Sequence, residues 1–412
     1  VILYEINTAV WLGGQRLDEV SFEDLPDVDA VWLMGVWQRS PAGREIALAT
    51  YPELTNVIGS PYCVRDYVVD ERFGGPAALA HARETLASRG VKLILDFVPN
   101  HVAPDHPWVG EHPDYFIHEP DGTIARGRDP YFPPWPDVLQ LNAFSPALRD
   151  AVAETMLAIA DQCDGVRCDM AMLVTNEVFG RTWGLEPPED DYWPQLIGRV
   201  HGFTFIAEAY WDMEFALQQQ GFDYCYDKRL YDRLAHEGAE SVRGHLQADR
   251  AYQERLIRFI ENHDEPRAAT ALGERHRAAA VVMSTVPGAR LYHDGQFEGR
   301  REHIPVFVDR APDEPPDEPL RAFYARLLRA VRELSGEWRL CDAEGPLVAW
   351  AWERHLVVVN LSDTRVWGRV QVPWTGDVVL EDRLSGARYE RGEDLWVGLD
   401  AWGSHLFRWS PG

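Results

Sequence analysis

The chain is 412 residues long, 46% hydrophobic and 26% charged, proportions that exclude a disordered, collagen-like or fibrous protein and suit a large barrel with a smaller companion domain. Its 66 acidic against 40 basic residues leave a net charge of -26, which repels phosphate backbones and anionic bilayers and argues against nucleic acid or membrane as a partner. No stretch reaches the roughly 18 apolar residues of a membrane span, and the opening segment Val1 to Val10 lacks the basic start of a secretory signal, so a cytoplasmic location is expected unless a leader has been removed.

Short apolar, β-forming runs at 2–8, 30–36, 92–98, 165–170, 204–210, 222–227, 257–264 and 290–295 predict eight buried strands. Amphipathic stretches lie between most of them. One runs from Pro76 to a stop at Gly90, and another follows Ser145, placed to cap, with Pro146 in its first turn. Strand-helix alternation over most of the chain predicts an α/β fold, a (β/α)8 barrel. Residues 101–144 break the rhythm and read as an inserted loop or small subdomain. After the acidic, proline-rich 311–319, a last amphipathic helix at 320–334 closes the barrel domain.

From about 336 the texture changes to short alternating strands at 347–353, 355–362, 369–374, 378–384 and 405–410, the pattern of an antiparallel β-sandwich. The expected division is therefore 1–335 for the barrel, with 101–144 inserted, and 336–412 for the β domain. The five cysteines, Cys63, Cys163, Cys168, Cys225 and Cys341, are odd in number and lack CxxC spacing, so buried free thiols are expected.

In a parallel barrel the chemistry sits at the C-terminal strand ends. Here those ends carry Asp96, Asn100 and His101 on the third strand, Arg167 and Asp169 on the fourth, Glu208 on the fifth, and Asn262, His263 and Asp264 on the seventh. Carboxylates are rarely buried without cations, a metal or proton chemistry to justify them. Arg167, two residues before Asp169 and on the same strand face, is placed to hold a neighbouring carboxylate ionised. Two carboxylates roughly 5 to 5.5 Å apart are what retaining glycoside hydrolysis requires. Barrels that bind magnesium for enolisation also put acids at successive strand ends, so spacing alone leaves both open. The 16 Trp, 15 Tyr and 16 Phe suit sugar rings, although aromatics also fill cores.

The flanking residues carry a resemblance. LDFVPNHV (95–102), GVRCDM (165–170), FIAEAYW (205–211) and FIENHD (259–264) are similar to the four signature regions of the α-amylase family of glycoside hydrolases, in order and on strands three, four, five and seven. SPYCVRDY (60–67) resembles that family's GYxxxDY element, and PGARLYHDGQFEG (287–299) its segment around strand eight. The resemblance implies that Asp169 is the nucleophile, Glu208 the general acid and base, and Asp264 the third carboxylate that grips ring hydroxyls. It implies substrate contacts from Tyr62, His101 and His263, with Arg167 orienting Asp169 and Asp96 behind Arg167. Arg267 is a further sugar contact or a structural ion-pair partner. Asp66 reads as structural, turned toward the backbone or an arginine, and Trp108, Trp135, Trp183, Trp193 and Trp211 as outer sugar platforms or packing.

Two departures matter. Many members carry a Lys-His pair three and four residues after the nucleophile, where this chain has Met172 and Leu173, which puts acceptor-side binding in question. The family's structural calcium uses the Asn of the first region, here Asn100, with carboxylates of the insert, for which Asp105, Asp114 and Asp121 are the candidates. No organic cofactor is implied. The activity implied is retaining hydrolysis of α-1,4-glucosidic bonds in maltooligosaccharides or starch-like glucans, with a carbohydrate as the partner. The alternatives are a glucanotransferase or isomerase using the same intermediate, a non-catalytic glycan-binding barrel, and a metal-dependent lyase. The β domain is expected to cover the barrel's flank in preference to binding glucan. Oligomeric state is not encoded in any of these signals.

Overall fold

A computed structural model describes residues 1–412. Eight strands, β1 (Ile2–Asn7), β2 (Ala30–Met34), β3 (Lys92–Phe97), β4 (Gly165–Cys168), β5 (Thr204–Ala207), β6 (Tyr224–Tyr226), β7 (Leu256–Arg258) and β8 (Ala289–His293), close a parallel barrel in the order β1-β8-β7-β6-β5-β4-β3-β2. Six fall within the runs marked by the sequence, and β7 and β8 begin one residue before theirs. β1 and β2 are buried along their whole length, as strands covered on both faces must be. The helices follow their punctuation: Gly75–Ser88 has a proline in its first turn, and Pro146–Ala160 begins where the Ser145 side chain accepts from Leu148 N. No helix is long and apolar enough to cross a membrane.

Strand seven is shorter than expected. It ends at Arg258, because Asn262 Oδ1 accepts from the amides of both Asp264 and Glu265 at 2.9 Å and turns the chain. The insert at 101–144 holds one short antiparallel pair, His101–Val102 with Leu139–Gln140, and two short helical turns, Trp108–Glu111 and Pro113–Tyr115.

The last strands are β9 (Arg339–Cys341), β10 (Leu347–Trp352), β11 (His355–Asn360), β12 (Val366–Val370), β13 (Val378–Asp382), β14 (Arg388–Arg391), β15 (Leu395–Leu399) and β16 (Ser404–Pro411). They form a six-stranded sheet, β9-β10-β11-β16-β13-β14, and a ribbon, β12-β15. The pairings resolved within both are antiparallel. One apolar cluster joins sheet residues such as Val358, Leu380 and Phe407 to ribbon residues such as Val370, Val397 and Leu399, which makes the expected sandwich. The strand expected at 369–374 lies at 366–370 instead: Gln371 N leaves the ladder for Asp342 O, and Pro373 has no N–H to offer it.

The compact units of the chain do not part at 335/336. The first comprises Val1–Tyr226 and Ile304–Pro312, and the second Asp227–His303 and Asp313–Gly412. Residues 304–312 belong to the first unit through Ile58 N, which donates to Phe307 O at 2.8 Å. In the second, Trp352 Nε1 donates to Thr285 O at 2.8 Å and ties the terminal sheet to the helix His276–Thr285.

Candidate active site

The first unit places two carboxylates side by side by register. Cys168 of β4 pairs with Ala207 of β5, so Asp169 and Glu208 leave adjacent strands at the same level. Asp169 N donates to Phe97 O at 2.8 Å and Glu208 N to Cys168 O at 3.0 Å, continuing the ladders one residue past the strands. Both residues are buried, at 6% and 3% exposure.

One cation serves both. Arg167 is buried in β4, with Nη1 at 2.8 Å from Asp169 Oδ1 and Nη2 at 2.8 Å from Glu208 Oε2. Burial by itself pulls the guanidinium pKa down, but Glu208, then Tyr62, Tyr226 and Asp169, outweigh it and hold the group well above its ordinary value. Its carbon lies 5.2 Å from the Tyr62 ring, 5.3 Å from Trp32 and 5.7 Å from Tyr226, an aromatic cage for a charge out of water. Asp96, expected behind Arg167, accepts from Trp32 Nε1 at 3.0 Å and from Gly35 N at 2.6 Å. It therefore fixes the indole that faces the guanidinium. Gly35 has φ +77, and a Cβ there would stand 2.7 Å from Pro61 Cβ, so only glycine lets the Ser60–Pro61–Tyr62 turn approach.

Glu208 also shapes the loop after β4. Its Oε2 accepts from Met170 N at 2.6 Å and its carbonyl from Ala171 N at 3.0 Å, while Met170 adopts φ +40. The chain is thereby drawn into the short turn Ala171–Val174, where Met172 and Leu173 are buried. The two positions that depart from the family pattern thus pack inward. Tyr210 Oη donates to Glu208 Oε1 at 2.8 Å, a contact that the sequence reading overlooked although the tyrosine stands two residues away.

His101 is buried beside Trp135, with ring centroids 5.3 Å apart, and burial lowers its pKa to about 4. Trp193 is no sugar platform: it is wholly buried and donates to Ala171 O at 2.8 Å. Asp66 has neither backbone nor arginine as its marked partner. It lies near His106 and favours that ring's charged form, against a burial that takes His106 to about 4. The five cysteines are free and buried.

Of the calcium candidates, Asn100, Asp105 and Asp121 are each engaged elsewhere. Asn100 is engaged by Gln140, whose Nε2 donates to both its Oδ1 and its carbonyl at 2.9 Å. Asp105 accepts from Ser40 Oγ and Ala42 N, and Asp121 from the amide and hydroxyl of Thr123. Hard-cation ligation needs six to eight oxygens turned to one point, and these are turned to separate local donors.

In the second unit, His263 Nε2 stands 3.0 Å from Asp264 Oδ2, with the histidine buried and the Asp264 side chain 44% exposed. His303 Nε2 lies 2.9 Å from the His263 carbonyl. Arg267 is buried and committed: Nη1 meets Glu261 Oε1 at 2.7 Å and His293 Nδ1 at 2.6 Å, and Nη2 donates to Asp294 O at 2.7 Å. That network is the ion-pair partnership that the sequence reading offered beside a sugar contact. Glu261, whose other oxygen accepts from Ala268 N at 2.7 Å, was passed over in the FIENHD motif.

The family model "Alpha amylase, catalytic domain" matches residues 23–140. The chain is 28% identical to the alpha-amylase MalA of Haloarcula japonica over 80% of its own length and 48% of that protein's. The chain is therefore similar to the α-amylase family in sequence over these stretches. It spans about half the length of that relative. A shorter stretch, 41% of the chain, is 29% identical to an alpha-1,4-glucan:maltose-1-phosphate maltosyltransferase of Cereibacter sphaeroides, covering 24% of it. Among solved structures of similar fold, the alpha-amylase AmyB of Thermotoga neapolitana superposes with a TM-score of 0.77 at 20% identity, covering 99% of this chain and 98% of that one. An alpha-amylase of Lactobacillus plantarum superposes with 0.75 at the same identity and coverage.

Proposed function

We propose that the chain is a retaining α-glycosidase that hydrolyses α-1,4-glucosidic bonds of maltooligosaccharides or starch-like glucans. The observation that carries this reading is the clasp of Arg167 on both Asp169 and Glu208. A single guanidinium bridging both carboxylates keeps them near neighbours, as a nucleophile and its acid partner in a retaining enzyme need to be.

Asp169 attacks the anomeric carbon as the bond to the leaving oxygen breaks, and Glu208 delivers a proton to that oxygen. Glu208 then takes a proton from the incoming water, which displaces Asp169 from the sugar. Asp264, in the loop that follows β7, is assigned the ring hydroxyls as positive charge develops on the sugar. Tyr62, His101 and His263 are assigned to the same sugar. No step is routed through a metal or an organic cofactor.

Transfer to a sugar acceptor is the second reading. It is favoured by the burial of Met172 and Leu173 and by the similarity to maltosyltransferases. The test is a time course of purified protein with maltoheptaose, followed by mass spectrometry. Shorter products alone support hydrolysis, products longer than the substrate support transfer, and an untouched substrate rules out the α-1,4-glucan assignment.

A further inference from the structure

The Asp137 carboxylate is set in the insert without a partner from another residue. Asp137 is half-buried and stands one position before Val138, which packs with Cys63, Ala103 and Trp135. Its backbone is held, since the Asp137 carbonyl accepts from Cys63 Sγ at 3.0 Å and the Val138 carbonyl from Gly127 N at 3.1 Å. Beyond its own amide, however, nothing donates to the side chain, and no cation lies within ion-pair distance. By contrast Asp129, in the same insert, accepts from the amides of both Tyr131 and Phe132. A carboxylate taken out of water unpaired is costly, and burial accordingly raises the Asp137 pKa, against the distant pull of His101 and Arg126.

Two residues assigned to the reacting sugar are its neighbours. Cys63, which reaches its carbonyl, directly follows Tyr62. His101 pairs with Gln140 and Val102 with Leu139, which lays the end of the insert alongside the histidine. Gly127 allows that approach, because a Cβ there would stand 2.8 Å from Val138 Cγ2 and 3.2 Å from His101 Cβ. Burial takes the His101 ring to about 4, although Asp137 and then the Tyr62 carbonyl favour its protonated form. At neutral pH the ring therefore carries no charge with which to neutralise the carboxylate. An acid kept beside these two residues with its oxygens uncommitted is equipped to receive hydrogen bonds from a ligand.

Resting on the glycosidase reading, we infer that Asp137 is a substrate-binding residue whose carboxylate accepts hydrogen bonds from hydroxyls of the sugar held by Tyr62 and His101. Hydroxyls suit it as neutral donors, and hydrogen bonds to an ionised acceptor are shorter and stronger than those between neutral groups. The contact is made to the sugar that becomes bonded to Asp169, so it acts whatever the leaving group. In the free protein the same carboxylate goes uncompensated. Its removal therefore relieves the fold while weakening catalysis, the opposed changes of a group kept for function.

The test compares kcat/KM for maltoheptaose and for α-maltosyl fluoride, beside thermal midpoints, in the wild type, Asp137→Asn and Asp137→Ala. Expected in Asp137→Ala is a loss of about ten- to a hundredfold, equal on the two substrates. Asp137→Asn, which keeps one acceptor oxygen, should lose less, and its midpoint should equal or exceed that of the wild type. Unchanged kinetics, or a loss confined to maltoheptaose, overturns the assignment. So does a lowered midpoint in Asp137→Asn, the mark of a structural residue. A wild type inert towards both substrates overturns the glycosidase reading itself, and the role of Asp137 falls with it.

Discussion

Arg167 Nη2 stands 2.8 Å from Glu208 Oε2 on the next strand. The two-residue spacing to Asp169 makes Arg167 legible as that residue's partner, but the second link crosses from β4 to β5 and makes the arginine the hinge of the whole carboxylate pair. Removing it leaves two buried acids without their shared cation, a loss of roughly 3 to 5 kcal/mol for a buried pair. Arg167→Ala is expected to lower the denaturant midpoint and to cut kcat/KM on maltoheptaose by at least about a hundredfold. Arg167→Lys, with a point charge in place of a fork, should recover part of the stability and little of the rate. Urea titrations beside kinetics check both, and an Arg167→Lys enzyme as fast as the wild type would show that the fork is dispensable.

Tyr210 gives a finer probe of Glu208. Tyr210→Phe deletes one hydroxyl donor to Oε1 and keeps the ring. A hydrogen bond to a charged group is worth about 1.5 to 3 kcal/mol, so kcat should fall roughly tenfold or more while the thermal midpoint moves by only a few degrees. Steady-state kinetics with maltoheptaose decide it; an unchanged kcat removes Tyr210 from the machinery.

Acid should weaken the fold through buried histidines. Burial takes His101, His106 and His276 from 6.5 to about 4, so between those values the unfolded chain binds protons that the folded chain refuses. Stability from these rings is whole above about pH 6.5 and drains away as pH falls toward 4, by up to about 3 kcal/mol for each well-buried ring. His276, whose Nε2 lies 2.7 Å from Tyr324 Oη, offers a single-site check. In His276→Gln the dependence of unfolding free energy on pH should be shallower over that window by up to one proton, and parallel profiles for the two proteins would refute the assignment.

Chelation should do nothing. Because Asn100, Asp105 and Asp121 each answer to local donors, treatment with EDTA followed by desalting is expected to leave the melting temperature and activity where they were. A drop in both, reversed by added calcium, would show that those side chains reorganise around an ion.

The barrel was legible because its strands are buried on both faces and so read as continuous apolar runs, and because Ser145, Pro146 and Gly90 punctuate its helices in the expected way. Asp169 and Glu208 were legible from motifs at strand ends. What escaped was whatever depends on contacts distant in sequence. The Arg167 link to Glu208 spans two strands, Arg267 is held by His293 and Asp294 at the end of the next strand, and Trp193 is sealed by an element that its own neighbours do not reveal. β14, with the sequence Arg-Tyr-Glu-Arg, has no apolar alternation because it is an exposed edge strand. The division between compact units was hidden for a similar reason, since the tie from Trp352 to Thr285 joins segments 67 residues apart.

The central claim is that Asp169 becomes bonded to the sugar. Glu208→Gln should accept a glycosyl group from α-maltosyl fluoride, whose leaving group needs no acid, and then stall for want of a base to activate water. Intact-protein mass spectrometry after brief incubation should show one added maltosyl unit, mapping by peptide digestion to Asp169 and absent from the Glu208→Gln, Asp169→Asn double variant. A label on another residue, or a label that survives in the double variant, would contradict the account.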